Sequence, residues 1–387
     1  MLRHGTTGVW FIGARGSVAT TSMVGIAALS DDRSDRTGLV TALPIFDTVA
    51  LPAFGELIAG GHELTSTPLV KRAEALVDAG VLPREGLPAA TVAWLELTER
   101  NLRPGIDPAA GEPPAVTVER LRRDLVEFRE RNALDTVVVV NVASTEAPAP
   151  PSPATASLTA LRAALDANED VLPPSSLYAL AAFEAGCAWV DFTPSTGASL
   201  PALAELAEAR GVVYAGKDGK TGETLLKSAL APVFASRNLH VLAWAGTNLL
   251  GGGDGGSLSE PARRSSKLVS TNIGMHAILG YEPAGPTHID NVAAMGEWKT
   301  AWDNIEFSGF LGTRMRMQFT WQGCDSALAA PLVIDLARLT AAAQKAGLRG
   351  GLPQLAFFFK DPLGTSEHAL DAQFRTLWEW AASLPGV

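Results

Sequence analysis

Three lysines in the last third of the chain, Lys267, Lys299 and Lys360, accompany Asp218 and a glycine-rich run, Leu250-Gly251-Gly252-Gly253-Asp254-Gly255. Lysine is a compact, flexible cation whose pKa falls readily on burial, so it can hold phosphate in one place and move a proton in another. Several lysines, an acidic partner and a close-approaching backbone suit a phosphorylated substrate that passes through an oxyanion. Taken singly, each lysine reads as a solvated surface residue. Lys267 lies in the basic patch Arg263-Arg264-Ser265-Ser266-Lys267 of an acidic chain, Lys299 follows Met295-Gly296-Glu297-Trp298, and Asp218 lies in Gly216-Lys217-Asp218-Gly219-Lys220-Thr221-Gly222. Lys360 follows the apolar run Leu355-Ala356-Phe357-Phe358-Phe359, which predicts a lysine at the tip of a buried strand.

These side chains need elements to position them. Val9-Trp10-Phe11-Ile12 is a short apolar strand, followed by Gly13-Ala14-Arg15-Gly16-Ser17-Val18-Ala19 and a helical stretch over 20–29. A strand, a tight glycine turn and a helix N-terminus offer backbone N–H groups and a positive dipole end to a pyrophosphate. The spacing, G-x-x-G-x-x-A, is a variant of the dinucleotide fingerprint that a plain βα turn also fits. Apolar spacing predicts helices over 117–132 and 177–186, and the β-branched run over 135–142 predicts a strand buried on both faces. That strand empties into Ala143-Ser144-Thr145-Glu146, and the strand over 188–192 into Thr193-Pro194-Ser195-Thr196-Gly197. Ligands of open α/β sheets sit beyond strand carboxyl ends, so both loops are candidate cofactor contacts. Another strand over 211–216 ends just before Asp218. A helix over 221–238 carries Leu225, Leu226, Ala229 and Val233 on one side. The strand over 239–245 then leads into the glycine-rich loop at 249–256, which reads equally as a ligand cradle or a surface connector. A last apolar helix over 326–339 is introduced by Asp325 as a capping acid.

The βαβα alternation makes a doubly wound α/β sheet the economical fold, and 387 residues predict two domains. Net charge is −10 with 31 Lys plus Arg, and no basic stripe points to nucleic acid. Apolar runs are strand-sized, which predicts no membrane partner, and the N-terminus leads almost directly into a strand without room for a signal peptide. Cys187 and Cys324 read as small core residues, with neither disulfide nor metal spacing. The expectation is a soluble cytoplasmic protein.

These pieces, in this order, resemble the myo-inositol-1-phosphate synthase family over almost the whole chain. The family's Gly-Asp-Asp-x-Lys-Ser-Gly-Gln-Thr looks like Gly216-Lys217-Asp218-Gly219-Lys220-Thr221-Gly222-Glu223-Thr224, and its Asn-His-Leu-Gly-Asn-Asn-Asp-Gly like Asn248-Leu249-Leu250-Gly251-Gly252-Gly253-Asp254-Gly255. Arg-Ser-Lys is matched by Ser265-Ser266-Lys267, Gly-Asp-Ser-Lys by Gly296-Glu297-Trp298-Lys299, and Glu-Asp-Ser-Leu-Leu-Ala-x-Pro by Cys324-Asp325-Ser326-Ala327-Leu328-Ala329-Ala330-Pro331. Leu-Lys-Ala-Pro-Leu resembles Phe359-Lys360-Asp361-Pro362-Leu363, and Gly-Gly-Trp-Asp-Ile resembles Gly60-Gly61-His62-Glu63-Leu64.

The resemblance implies a Rossmann NAD-binding domain over 1–225 and 326–387, interrupted at 226–325 by an α/β domain for substrate binding and tetramer formation. It implies a redox-neutral cyclisation of a hexose 6-phosphate: oxidation at C5, enolisation at C6, aldol closure and re-reduction. Lys360 and Lys267 would serve C5, Lys299 the carbonyl under attack, and Asp218 would orient the lysines. Glu63, Asp218, Asp325 and Ser326 would lie at the cofactor. Asn248, Leu250, Gly251, Gly252, Gly253, Asp254, Ser266 and Lys267 would lie at the substrate.

Three departures qualify it. Thr271 stands where the family has a fourth lysine, a contact that Lys220 or Arg264 could replace. Gly252 and Gly253 replace two asparagines, and Arg15-Gly16-Ser17-Val18-Ala19 replaces Gly-Gly-Asn-Asn-Gly. They leave open a ketose variant, fructose 6-phosphate closing to a five-membered ring, beside the six-membered default from glucose 6-phosphate. A simple NAD dehydrogenase and an inactive NAD-binding paralogue are the competing classes.

Overall fold

The structure is a computed structural model and describes residues 6–251 and 272–385. Two sheets organise it. The larger has seven strands: β1 (Thr7–Ile12), β2 (Leu57–Glu63), β3 (Leu102–Pro104), β4 (Thr136–Asn141), β5 (Ala188–Asp191), β6 (Val213–Gly216) and β11 (Gly350–Gly351). Their order is β11-β6-β5-β4-β1-β2-β3, with every neighbour parallel. The strand order reverses between β1 and β4, the crevice where doubly wound sheets bind ligands.

Side-chain alternation explains the layers. Val9, Phe11, Val138, Val140 and Val190 meet helices Ser17–Ser30, Leu69–Asp78, Ala89–Glu99, Asp325–Lys345 and Leu370–Ser383 on one face. Trp10, Ile12, Val137, Val139 and Trp189 meet Pro114–Arg131, Leu158–Asp166, Pro174–Glu184 and Pro201–Arg210 on the other. A strand with both faces buried needs apolar side chains at consecutive positions, as β4 shows. Helix Asp325–Lys345 is long and apolar enough to cross a membrane, yet most of it is buried inside this core. Cys187 and Cys324 are buried and free.

The smaller sheet comes from β7 (His240–Leu250), β8 (Thr287–Asn291), β9 (Trp298–Ser308) and β10 (Arg314–Cys324), in the order β10-β9-β7-β8. Only β7–β8 is parallel. Helix Gly222–Ser236 packs against this sheet with an unexpected face. Glu223, Thr224, Lys227, Ser228, Ala231 and Phe234 are buried, whereas Leu225, Leu226 and Ala229 are only partly covered and Val233 is 48% exposed. The apolar periodicity pointed to the opposite side. The buried face carries the Glu223–Lys227 pair together with Ala231 and Phe234, which join an apolar cluster with Trp244 and Ile305.

Three local expectations also change. The run before Lys360 is a 3-10 helix, Pro353–Phe358, rather than a strand; a short continuous apolar run does not by itself distinguish the two. Strand β7 continues to Leu250, so Asn248 and Leu250 are strand residues rather than parts of a glycine loop. Asp325 is the first residue of its helix, not its cap: Cys324 is the N-cap, and the Asp325 carboxylate is used elsewhere.

Candidate functional site

The first βα turn closes on itself. Gly13 and Ala14 donate their N–H groups to His62 O at 3.0 and 3.2 Å, Gly16 donates to Gly13 O, and Arg15 N donates to Glu63 Oε2 at 2.7 Å. The other Glu63 oxygen accepts from Leu64 N and Thr65 N. The Arg15 guanidinium is held by Glu99 and Thr65 O. The backbone donors of 13–16 are thus satisfied within the protein. First-turn helix amides have no intrahelical acceptor, so those of Ser17 and Val18 are the ones available to a pyrophosphate. That first turn carries no acidic residue and no capping side chain that would compete. Gly13 has φ +83°, and a Cβ there would lie 2.9 Å from Ala143 Cα, so the exit of β4 crosses directly over the turn.

Beyond the turn lies a cavity lined by Val18, Val142, Ala143, Thr145, Thr193 and Pro194 on the sheet side. Asp218, Thr221, Asp325 and Lys360 close its far side. A second cavity adjoins it, lined by Thr221, Glu223, Thr224, Asn248, Leu250, Ile289, Lys299 and Lys360. Thr221 and Lys360 belong to both.

Backbone pairing sets Lys360. The segment after the cis Gly216–Lys217 peptide runs antiparallel to 358–361: Lys360 N donates to Asp218 O at 2.7 Å, and Lys220 N to Phe358 O at 2.8 Å. This brings Lys360 Nζ to 3.2 Å from Asp218 Oδ1, with both side chains buried. Lys299 projects from the start of β9 to Asp325 Oδ2 at 3.0 Å, and Thr221 Oγ1 donates to Asp325 Oδ1 at 3.3 Å. A Cβ on Gly222 would lie 3.4 Å from Lys299 Nζ, which places that ammonium against the positive end of helix Gly222–Ser236. Two lysine–carboxylate pairs thus flank Thr221 and Gly222, and each acid holds its lysine in position.

Other expected residues separate from this group. Lys220 points away: its ammonium meets Gln373 Oε1 beneath helix Leu370–Ser383, because neighbours on an extended segment face opposite sides. Burial pushes Lys220 down to about 7, with Glu367 opposing the shift. It lines neither cavity. Ser326 is buried against Cys324 Sγ, and Ser144 is exposed; neither lines the two cavities. A Cβ on Gly251 would meet Gly296 O at 2.2 Å, so this glycine admits neighbouring backbone rather than ligand. Lys267, Gly252, Gly253, Asp254, Arg264, Ser266 and Thr271 lie outside the described residues.

The sequence reading also missed residues that the structure brings to the site. Glu223, Thr224 and Ile289 line the second cavity, beside Lys299 and Lys360. A groove of about 1180 Å³ opens past β3 and β4, lined in part by Gly105–Asp107, Ala147–Pro150 and Pro173. No local signal marks the groove, since separated loops and the helix Pro114–Arg131 build it together.

A sequence profile of the myo-inositol-1-phosphate synthase family matches residues 7–381. The chain belongs to that family. It is 31% identical to inositol-3-phosphate synthase 1 of Bacteroides thetaiotaomicron, over 97% of this chain and 93% of that protein. The fold is that of the inositol-3-phosphate synthase of Caenorhabditis elegans (TM-score 0.86, 24% identity, 99% of this chain and 87% of that one). It is likewise that of a myo-inositol-1-phosphate synthase-related protein of Thermotoga maritima (TM-score 0.79, 23% identity, 98% and 99%). The resemblance read from the sequence and the doubly wound fold both hold. NAD is the cofactor of this family, and the uncapped helix end at Ser17 beside the Ala143, Thr145 and Thr193 loops fits it.

Proposed function

We propose that this synthase-family chain converts a hexose 6-phosphate to a cyclitol phosphate without net redox change. One observation supports this above the rest: Lys360, paired with Asp218, stands on the wall shared by the cofactor-side cavity and the cavity holding Lys299. A reaction that starts and ends with hydride exchange at a substrate carbon needs a proton-handling group at that junction. Ser17, Val18 and the loops at Ala143–Thr145 and Thr193–Pro194 would hold NAD. When bound, NAD supplies the acceptor for the C5 hydride and gives the same hydride back.

The protein's own part follows from placement. Lys360, acting as the neutral amine, takes the proton of the C5 hydroxyl as that carbon is oxidised, becomes the ammonium that Asp218 holds in place, and returns the proton at re-reduction. The C5 ketone acidifies C6, a C6 proton leaves, and the C6 carbanion equivalent bonds to the substrate carbonyl carbon, whose oxygen takes up a proton. Atoms and electrons balance as an isomerisation. Lys299, beside the amide end of helix Gly222–Ser236, supplies positive charge to an anionic group of the substrate, the phosphate or the developing alkoxide. We place the catalytic insertion at 226–325, around the four-stranded sheet, and the assembly as a tetramer. Val233 on the outward helix face, the sheet's exposed Trp298 and Trp302, and Phe310 and Leu311 at the β9–β10 tip support an interface between copies.

The test is incubation with NAD and, separately, glucose 6-phosphate and fructose 6-phosphate, with product ring size determined by NMR. A carbocyclic phosphate with no net NADH is expected, six-membered from the aldose; a five-membered product from the ketose alone would establish the variant. Steady accumulation of NADH would make the protein a dehydrogenase, and NAD binding without turnover an inactive relative.

A further inference from the structure

Beneath the substrate cavity lies a charged cluster with no part in the chemistry above. Glu223, Lys227, Asn248 and Asp303 are all buried. Lys227 Nζ lies 2.6 Å from Glu223 Oε1 and donates to Asn272 Oδ1 at 2.8 Å. Asn248 Nδ2 donates to the other Glu223 oxygen. Asp303, from β9, accepts from Trp244 Nε1 at 2.7 Å. The two carboxyl groups meet over Gly246: a Cβ there would lie 2.9 Å from Glu223 Oε1 and 3.0 Å from Asp303 Oδ1, so any larger residue would push them aside.

Two carboxyls and one ammonium in a buried site balance when one proton is shared. Burial pushes Asp303 up to about 7, helped by the neighbouring Glu223 charge. Burial also acts to raise Glu223, but Lys227 and the Asn248 hydrogen bond outweigh it and hold it below its ordinary value. Glu223 is therefore the charged acid of the pair. A carboxylate only accepts hydrogen bonds, so the Asn248 amide must turn its NH2 toward Glu223 and its carbonyl oxygen away. Asn248 lies on the wall of the cavity that Lys299 and Lys360 also line.

We propose that Glu223 is a positioning residue that fixes Asn248 as a hydrogen-bond acceptor in the substrate cavity, so that the site selects a ligand bearing a hydroxyl at that point. The family motif has glutamine at this position, and a glutamine can donate or accept, which leaves the Asn248 amide free to bind either way round. Glutamate removes that choice. A buried acceptor also penalises a ligand that arrives without its donor, because the oxygen is then left unpaired. The inference rests on the hexose 6-phosphate reading and specifies which protein group reads a sugar hydroxyl.

The experiment is calorimetric binding of glucose 6-phosphate, fructose 6-phosphate and their monodeoxy analogues to the NAD-loaded protein, in the wild type, Glu223→Gln and Asn248→Leu. In the wild type one monodeoxy analogue should bind about tenfold or more weaker than its parent. Both variants should shrink that ratio to about threefold or less, the first while keeping wild-type thermal unfolding, since Asp303 can ionise and take over as the counter-ion of Lys227. An undiminished ratio in Glu223→Gln, or wild-type binding that ignores every missing hydroxyl, would overturn the inference and leave the substrate class standing. Failure of the wild type to bind any hexose 6-phosphate would overturn the substrate reading itself, and the inference with it.

Discussion

The two sheets are held together by different mixtures of contacts, since behind the smaller one an apolar cluster of Phe234, Val241, Trp244, Met275 and Ile305 adjoins a buried charged one. The seven-stranded sheet buries apolar side chains on both faces, with Val137, Val138, Val139 and Val140 in consecutive positions. The four-stranded sheet and helix Gly222–Ser236 instead bury Glu223, Lys227, Asn248 and Asp303 between them and leave Leu225, Leu226 and Val233 toward the outside. The first arrangement is a scaffold whose stability scales with buried area. The second trades stability for fixed polar groups beside the cavity that Lys299 and Lys360 line, since desolvating a charge gains nothing unless its partners are complete.

Removing one partner from the charged layer should have the largest effect on folding. Lys227→Met leaves two carboxyl groups without their cation and should destabilise by about 3–5 kcal/mol. That matches or exceeds the roughly 2–5 kcal/mol expected for Leu206→Ala in the apolar layer. Chemical denaturation of both variants decides it; a loss below about 1 kcal/mol for Lys227→Met would mean the cluster is not energetically coupled.

The next difference is in pH dependence. Asp303 binds its proton more tightly folded than unfolded, its pKa rising from 3.8 to about 7. Between those values the folded state holds the extra proton, so this group's contribution to stability falls as pH rises and is lost above about 7. Lys220, lowered from 10.5 to about 7, acts in the opposite sense: the unfolded state holds more protons between about 7 and 10.5, and stability rises with pH there. Asp191 and Asp335, in the apolar half, rise only to about 6. Subtracting the denaturation profile of Asp303→Asn from that of the wild type should therefore leave a slope that persists between pH 6 and 7. A flat difference in that window would show that Asp303 is ionised throughout.

The smallest effect concerns the outward apolar face. Val233→Ser should change monomer unfolding by less than about 0.5 kcal/mol while weakening self-association in sedimentation. An unchanged assembly would show that this face is solvent-exposed in the oligomer.

The same contrast explains what could be read in advance. In the apolar half, pattern and burial agree: the β-branched run over 135–142, the turn after Ile12 and the helix ending at Arg131 are found close to where periodicity puts them. In the charged half, pattern misleads. Leu225 and Val233 mark the wrong face of their helix because a Glu–Lys pair four residues apart, Glu223 and Lys227, looks like a surface pair and is a buried one. Lys360 was recognisable through its motif, but not the 3-10 turn that delivers it. Asp325 meets Lys299, across β9 and β10, a contact that neither its local appearance as a helix cap nor its place in the motif could show. Lys220 and Thr221 differ only in which side of an extended segment they face, and only the pairing with Phe358 decides that.

The most direct test of the account is turnover of a hexose 6-phosphate by the NAD-loaded Lys360→Ala variant, with carbocyclic phosphate quantified by NMR. If Lys360 moves the proton at the junction of the two cavities, product formation falls by about 100-fold or more, while NAD affinity of the folded variant stays near that of the wild type. Cyclisation at close to the wild-type rate would contradict it.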